Sequence, residues 1–128
     1  MFIVTPLYAG LLALLLVALS INVSRARIGQ RVSVGDGGNK LVIKAMRAQA
    51  NFVEYAPMGV LLLALLEAQG APVWALHALG AALFGGRIIH AYGFGRTPQI
   101  VLLRRIGIGL TFLMLILTAL ANITYSLS

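Results

Sequence analysis

The sequence predicts an all-α integral membrane protein, a bundle of four transmembrane helices, and three observations carry that prediction. Of 128 residues, 60% are hydrophobic, while only ten are basic and three acidic. A soluble domain of this length needs a charged surface, and so few charged side chains cannot cover one. The apolar residues also fall into four runs, each near the roughly 20 residues that a spanning helix requires. Backbone polar groups in lipid must be satisfied within the segment, so these runs read as helices rather than strands.

The first run, "MFIVTPLYAGLLALLLVALSINV", predicts a helix over residues 3–23. It lacks the basic leader of a signal peptide and is expected to be retained. The connector "VSVGDGGNK" is short, polar and glycine-rich. Its "GDGGNK" lacks the spacing and closing Lys-Ser/Thr of a phosphate loop, which argues against a nucleotide site. A second helix is expected over 41–69, where Gly70 and Pro72 in "EAQGAP" provide a stop and a turn. The third is expected over 72–93, closing at "YGFGRTP", and the fourth over 99–127 with Arg104 and Arg105 in its first turns. The chain is thus expected to be one membrane domain over residues 1–128.

The formal charge of +7 does not mark a nucleic-acid surface, because the basic residues flank apolar runs without interleaved aromatics. Arg25, Arg27, Arg31, Lys40 and Lys44 surround the first loop, and Arg96, Arg104 and Arg105 the third; the second has only Glu67. The positive-inside rule then places loops one and three in the cytoplasm and both termini outside. Trp74 and Tyr125 suit interfacial aromatic belts, His77 a packed or interfacial position, and Glu67 is expected to cap or solvate the outer loop. With no cysteine, the chain has no disulfide, zinc thiolate or cysteine nucleophile, so thiol chemistry would need a thiol from the substrate. Two distant histidines and three acids predict no metal site.

The second helix raises the functional question. Lys40, Lys44, Arg47, Asn51 and Glu54 follow one another at steps of four, three, four and three, which puts them on one helical face. A charged residue at the centre of a spanning helix costs roughly 2.5–3.5 kcal/mol on insertion scales, so such groups face a partner, a bundle interior or a watery cavity. One reading is structural: Arg47 and Glu54 neutralise each other between helices and Asn51 bonds across them. The other is a wall of a pocket for a small zwitterionic or polyanionic ligand, with a cation for carboxylate, an amide, and a carboxylate for ammonium. Arg87, His90 and Phe94 recur at steps of three and four on the third helix, with Tyr92 offset, and Arg104 and Arg105 lie at a similar level on the fourth. Three helices therefore bring polar groups to one depth.

"RAQANFVEYAP", with "GRIIHAYGF" and "RRIG", resembles the MAPEG family, membrane-associated proteins in eicosanoid and glutathione metabolism, and especially its small bacterial members. The similarity covers nearly the whole chain. It implies a homotrimer in the bacterial inner membrane with glutathione sites between subunits. By motif position Arg47, Asn51, Glu54 and Tyr55 would hold glutathione from one subunit, and Gln49 and a first-loop arginine, Arg27 ahead of Arg25 and Arg31, would reach in from the next. His90 would face the same ligand. Phe94 stands where several members carry tyrosine, a hydroxyl that Tyr92 is expected to replace. Arg105, or its neighbour Arg104, would stabilise the glutathione thiolate. Ile106 and Gly109 replace the serine and tyrosine of the prostaglandin-forming member and argue against that isomerase chemistry. The implied activity is a glutathione-dependent transferase or peroxidase acting on apolar electrophiles drawn from membrane lipid. A non-catalytic binding or scaffold protein with the same fold is the alternative. A proton-coupled exporter fits poorly, since short multidrug transporters carry an acid in the first helix and none is present here.

Overall fold

The computed structural model describes all residues, Met1–Ser128. It contains four helices: α1 (Val4–Gln30), α2 (Lys40–Ala68), α3 (Val73–Gly95) and α4 (Val101–Leu127). Each is long and apolar enough to cross a membrane.

The largest departure from the sequence reading is at the end of α1, which continues to Gln30 where the apolar run suggested residue 23. Hydropathy falls at Ser24, but nothing there breaks a helix, and arginine is a good helix former. The helix stops only at Arg31, which turns left-handed at φ 56° while the following N–H returns to the Arg27 carbonyl. Arg25 and Arg27 are therefore helical rather than loop residues. Gly35, Gly37 and Gly38, all at positive φ, then carry the chain to Asn39. The Asn39 side chain starts α2 by accepting from the N–H groups of Leu41 and Val42 at 2.9 and 3.2 Å. At the opposite end Gly70, at φ 86°, makes the tight turn into α3.

α2 and α3 form the centre of the bundle: α1 packs on both, α4 packs on both from the other side, and α1 and α4 do not meet. Leu63, Leu76, Leu83 and Met114 are fully buried between them, and Leu12 and Phe52 bring α1 into the same core. α3 and α4 approach through glycine. A Cβ at Gly107 would lie 2.4 Å from the His90 backbone nitrogen, and one at Gly86 would lie 2.9 Å from the Gly107 carbonyl oxygen. Small residues thus let two backbones nearly touch, the packing mode of helices in lipid.

The N-terminal end of α1 is fastened by polar groups. Glu67 does cap, but its target is a helix start. Its carboxylate accepts from the N–H groups of Ile3, Val4 and Thr5 at 3.0, 2.7 and 2.9 Å. Three of the four amide donors that a helix N-terminus leaves free meet a negative charge there. One turn further in, the Tyr8 hydroxyl donates to the His77 carbonyl at 3.1 Å and lies 3.0 Å from its Nδ1, with the Tyr8 ring packed on Gly80.

Candidate functional site at the basic end of the bundle

Asn51, Arg87 and Thr111 come from α2, α3 and α4 and meet in one network. Arg87 is only 2% exposed. Its Nε donates to the Thr111 hydroxyl at 3.0 Å, and its Nη1 donates to Asn51 twice, to the backbone oxygen at 3.3 Å and to the side-chain oxygen. Thr111 donates in turn to the Gly107 carbonyl at 2.9 Å, so the glycine that lets α4 approach α3 also anchors the network. The guanidinium carbon lies 5.8 Å from the centre of the Tyr55 ring, which meets Phe112 edge-on. No carboxylate bonds Arg87, and its Nη2 is buried without a partner.

The charged members of the stripe lie beside this network on the surface of the subunit. Arg47 and Glu54 pair at 3.4 Å, with their side chains 58% and 48% exposed. Seven residues at 1.5 Å rise separate them by about 10 Å along the axis, so the pair bridges nearly two turns past Asn51. Lys44 closes the lower end of the stripe by donating to the Arg96 carbonyl and to the Thr97 hydroxyl, while Lys40 is exposed.

A second cluster lies one turn along α3. His90 is buried and stacks on Phe94 with centroids 5.6 Å apart, and the guanidinium carbon of Arg104 sits 4.9 Å from the Phe94 ring centre. Arg104 also donates to Gln99 at 3.1 Å. Arg105, one residue on, is exposed and makes no hydrogen bond or ion pair within the subunit. Tyr92 is exposed, with the Arg96 guanidinium carbon 5.3 Å from its ring centre.

Gln49 and Arg27 stand apart from this group. Gln49 is on another face of α2 and donates to the Ser20 hydroxyl of α1 at 2.9 Å. Below that bond an apolar groove of about 480 Å³ runs between α1 and α2, lined by Leu12, Leu16, Phe52, Ala56 and Val60. Arg27 folds onto its own loop, donating to the Gly35 carbonyl at 3.0 Å. Arg25 instead lines a polar cavity of about 410 Å³ with Asn22, Gln30, Lys44 and Thr97.

The sequence places Arg87 with His90 and Phe94 in a second wall of the pocket but does not reveal its bonds to Asn51 and Thr111, and Thr111 itself is a hydroxyl in an otherwise apolar run. The usable signal was the pairing of Gly86 and Arg87 with Gly107 and Thr111: small residues that bring two helices together, each beside a polar group.

A model of the MAPEG family matches residues 5–124. The chain is 41% identical over 122 residues to the inner membrane protein YecN of Escherichia coli K12, covering 95% of this chain and 92% of that protein. The same protein of Escherichia coli O6:H1 matches equally well. Four membrane-spanning helices, a polar network at one depth and this match over nearly the full length agree: the chain is a multi-pass inner-membrane protein belonging to the MAPEG family.

Proposed function

We propose that the protein binds glutathione between subunits of a homotrimer and uses its thiolate against apolar electrophiles or lipid hydroperoxides. The observation that carries this reading is the Arg47–Glu54 pair, half-exposed on the outside of a single subunit within a membrane-spanning helix. Lipid is a costly environment for such a pair, whereas a neighbouring subunit and a zwitterionic ligand would complement it. Glutathione carries two carboxylates and an ammonium group, which match Arg47, the Asn51 amide and Glu54. By motif position Tyr55 and His90 would join this wall, and Gln49 and Arg27 would serve the adjoining site.

The chemistry would rest on Arg105 or Arg104. A guanidinium near the sulfur favours thiolate over thiol, and the thiolate is the nucleophile. In transfer, sulfur forms a bond to the electrophilic carbon and the leaving group departs with the bonding pair. In peroxidase turnover, sulfur attacks the distal peroxide oxygen, the O–O bond breaks, and the alcohol leaves with the proton. A second glutathione then gives the disulfide and water. The apolar groove between α1 and α2 would admit the second substrate from lipid.

The test is an ultraviolet difference spectrum of thiolate on adding glutathione, followed by turnover over a panel of apolar electrophiles and hydroperoxides. Arg105→Leu is expected to remove the thiolate signal and lower turnover by about 100-fold, as for loss of a preorganised electrostatic stabiliser. Arg104→Leu is expected to cost less, since Arg104 is engaged with Phe94 and Gln99. Binding without thiolate or turnover would select the scaffold reading.

A further inference from the structure

The buried guanidinium of Arg87 has two properties that the proposed chemistry does not use: no carboxylate neutralises it, and one of its bonds ends on a side-chain amide. Arginine has five donors and no acceptor. The Asn51 atom facing it must therefore be the oxygen, which fixes the amide without any ambiguity between oxygen and nitrogen. The second anchor, Nε to Thr111, prevents the guanidinium from swinging to another partner.

We infer that Arg87 is a positioning residue that locks the Asn51 side chain with its NH₂ group toward the Arg47–Glu54 face, so that Asn51 meets ligand as a hydrogen-bond donor only. The Asn51 Nδ2 makes no hydrogen bond within the subunit, and the residue is half-buried on the stripe that carries Arg47 and Glu54. A free asparagine could turn its oxygen to a ligand ammonium or its nitrogen to a ligand carboxylate with equal ease. With Arg87 behind it, only the second is open. The wall thus presents two donors for anionic oxygen, Arg47 and Asn51, and keeps Glu54 as its sole acceptor for a cation. Arg87 also polarises the amide, since a hydrogen bond from a buried cation strengthens the donors on its other side. This orientation rests on the reading of the stripe as a ligand wall, but the hold of Arg87 on Asn51 does not.

The experiment compares the wild type, Asn51→Asp and Arg87→Lys by thermal midpoint and by glutathione affinity in detergent. Asn51→Asp keeps the shape of the side chain, gives Arg87 the carboxylate it lacks and removes the donor. Its midpoint is expected at or above the wild type, while its glutathione affinity falls about 10-fold or more, the loss of one charge-assisted bond. Opposite movement of stability and affinity is the signature, because a residue that served only packing would move both down together. Arg87→Lys keeps the charge but cannot hold Thr111 and Asn51 at once, so affinity should fall in a protein that remains folded. Affinity retained or raised in Asn51→Asp would overturn the proposal, since Asn51 would then be serving as an acceptor. A midpoint well below the wild type would overturn the Arg87–Asn51 geometry itself. Should the wild type bind no glutathione while Asn51→Asp stays as stable, the proposed function fails and the hold of Arg87 on Asn51 stands.

Discussion

Asn51 and Glu54 lie less than one helical turn apart, yet one turns to the bundle interior and the other to its surface. Sequence spacing puts such residues on one stripe but not on one side of an interface, because a stripe of steps three and four is wide enough to straddle its edge. That is why the candidate residues were visible as a group while their partners were not. Arg87 stood in the sequence as a polar residue on an apolar helix, and only the approach of α4 shows that it has Thr111 beside it. Spacing marks Glu67 only as a cap or solvated residue near its own loop, whereas the donors its carboxylate meets are the amides of α1, more than sixty positions away in the chain. Replacing it by alanine strands three helix-end N–H groups. Glu67→Ala is expected to lower the unfolding free energy by about 1–2 kcal/mol, seen as a lower thermal midpoint in detergent, with glutathione affinity unchanged because that end of the bundle is remote from the stripe.

Hydropathy located all four helices, since a spanning run is long and its composition extreme. It misplaced the end of α1 because hydropathy reports where lipid ends, whereas a helix ends where the backbone turns. For α1 that is Arg31. The consequence reaches the site, since Arg25 and Arg27 project from a rigid helix rather than from a flexible loop. The contact between α3 and α4 depends on glycines whose importance is invisible without the neighbouring helix. Gly107→Ala would force a methyl group against the His90 backbone, and Gly86→Ala would crowd the Gly107 carbonyl and Thr111. Each is expected to cost about 1–3 kcal/mol and, by moving Thr111 from Arg87, to weaken ligand binding as well. Gly85→Ala is the control: nothing lies within 4 Å of the added carbon, so helix propensity should leave it neutral or more stable by up to about 1 kcal/mol. Thermal melts of the three variants check the pattern.

For the whole molecule, polar fastenings run the length of α1. α1 is held at its N-terminal end by Glu67 and by Tyr8 with His77, midway by the Gln49–Ser20 bond beside the apolar groove, and at its C-terminal end by Arg27 on Met46 and Asn39 on Gln30. The exposed Arg47–Glu54 pair is a surface that a lone subunit leaves uncovered, and the proposed trimer would bury it against a neighbouring copy while the groove stays open to lipid. Native mass spectrometry from mild detergent is expected to give three copies of the chain, and Glu54→Lys, which sets two like charges together on that face, should shift the population toward monomer. The four spans follow from composition and period, while the proposed assembly would depend on surfaces that match another copy of the chain. The most direct test of the central claim is calorimetric titration of glutathione into the detergent-solubilised wild type, Arg47→Ala and Glu54→Ala. The account predicts binding by the wild type that both substitutions abolish with little change in thermal midpoint. No binding by the wild type, with both substitutions only lowering the midpoint, would contradict it and leave the charged stripe as a structural brace.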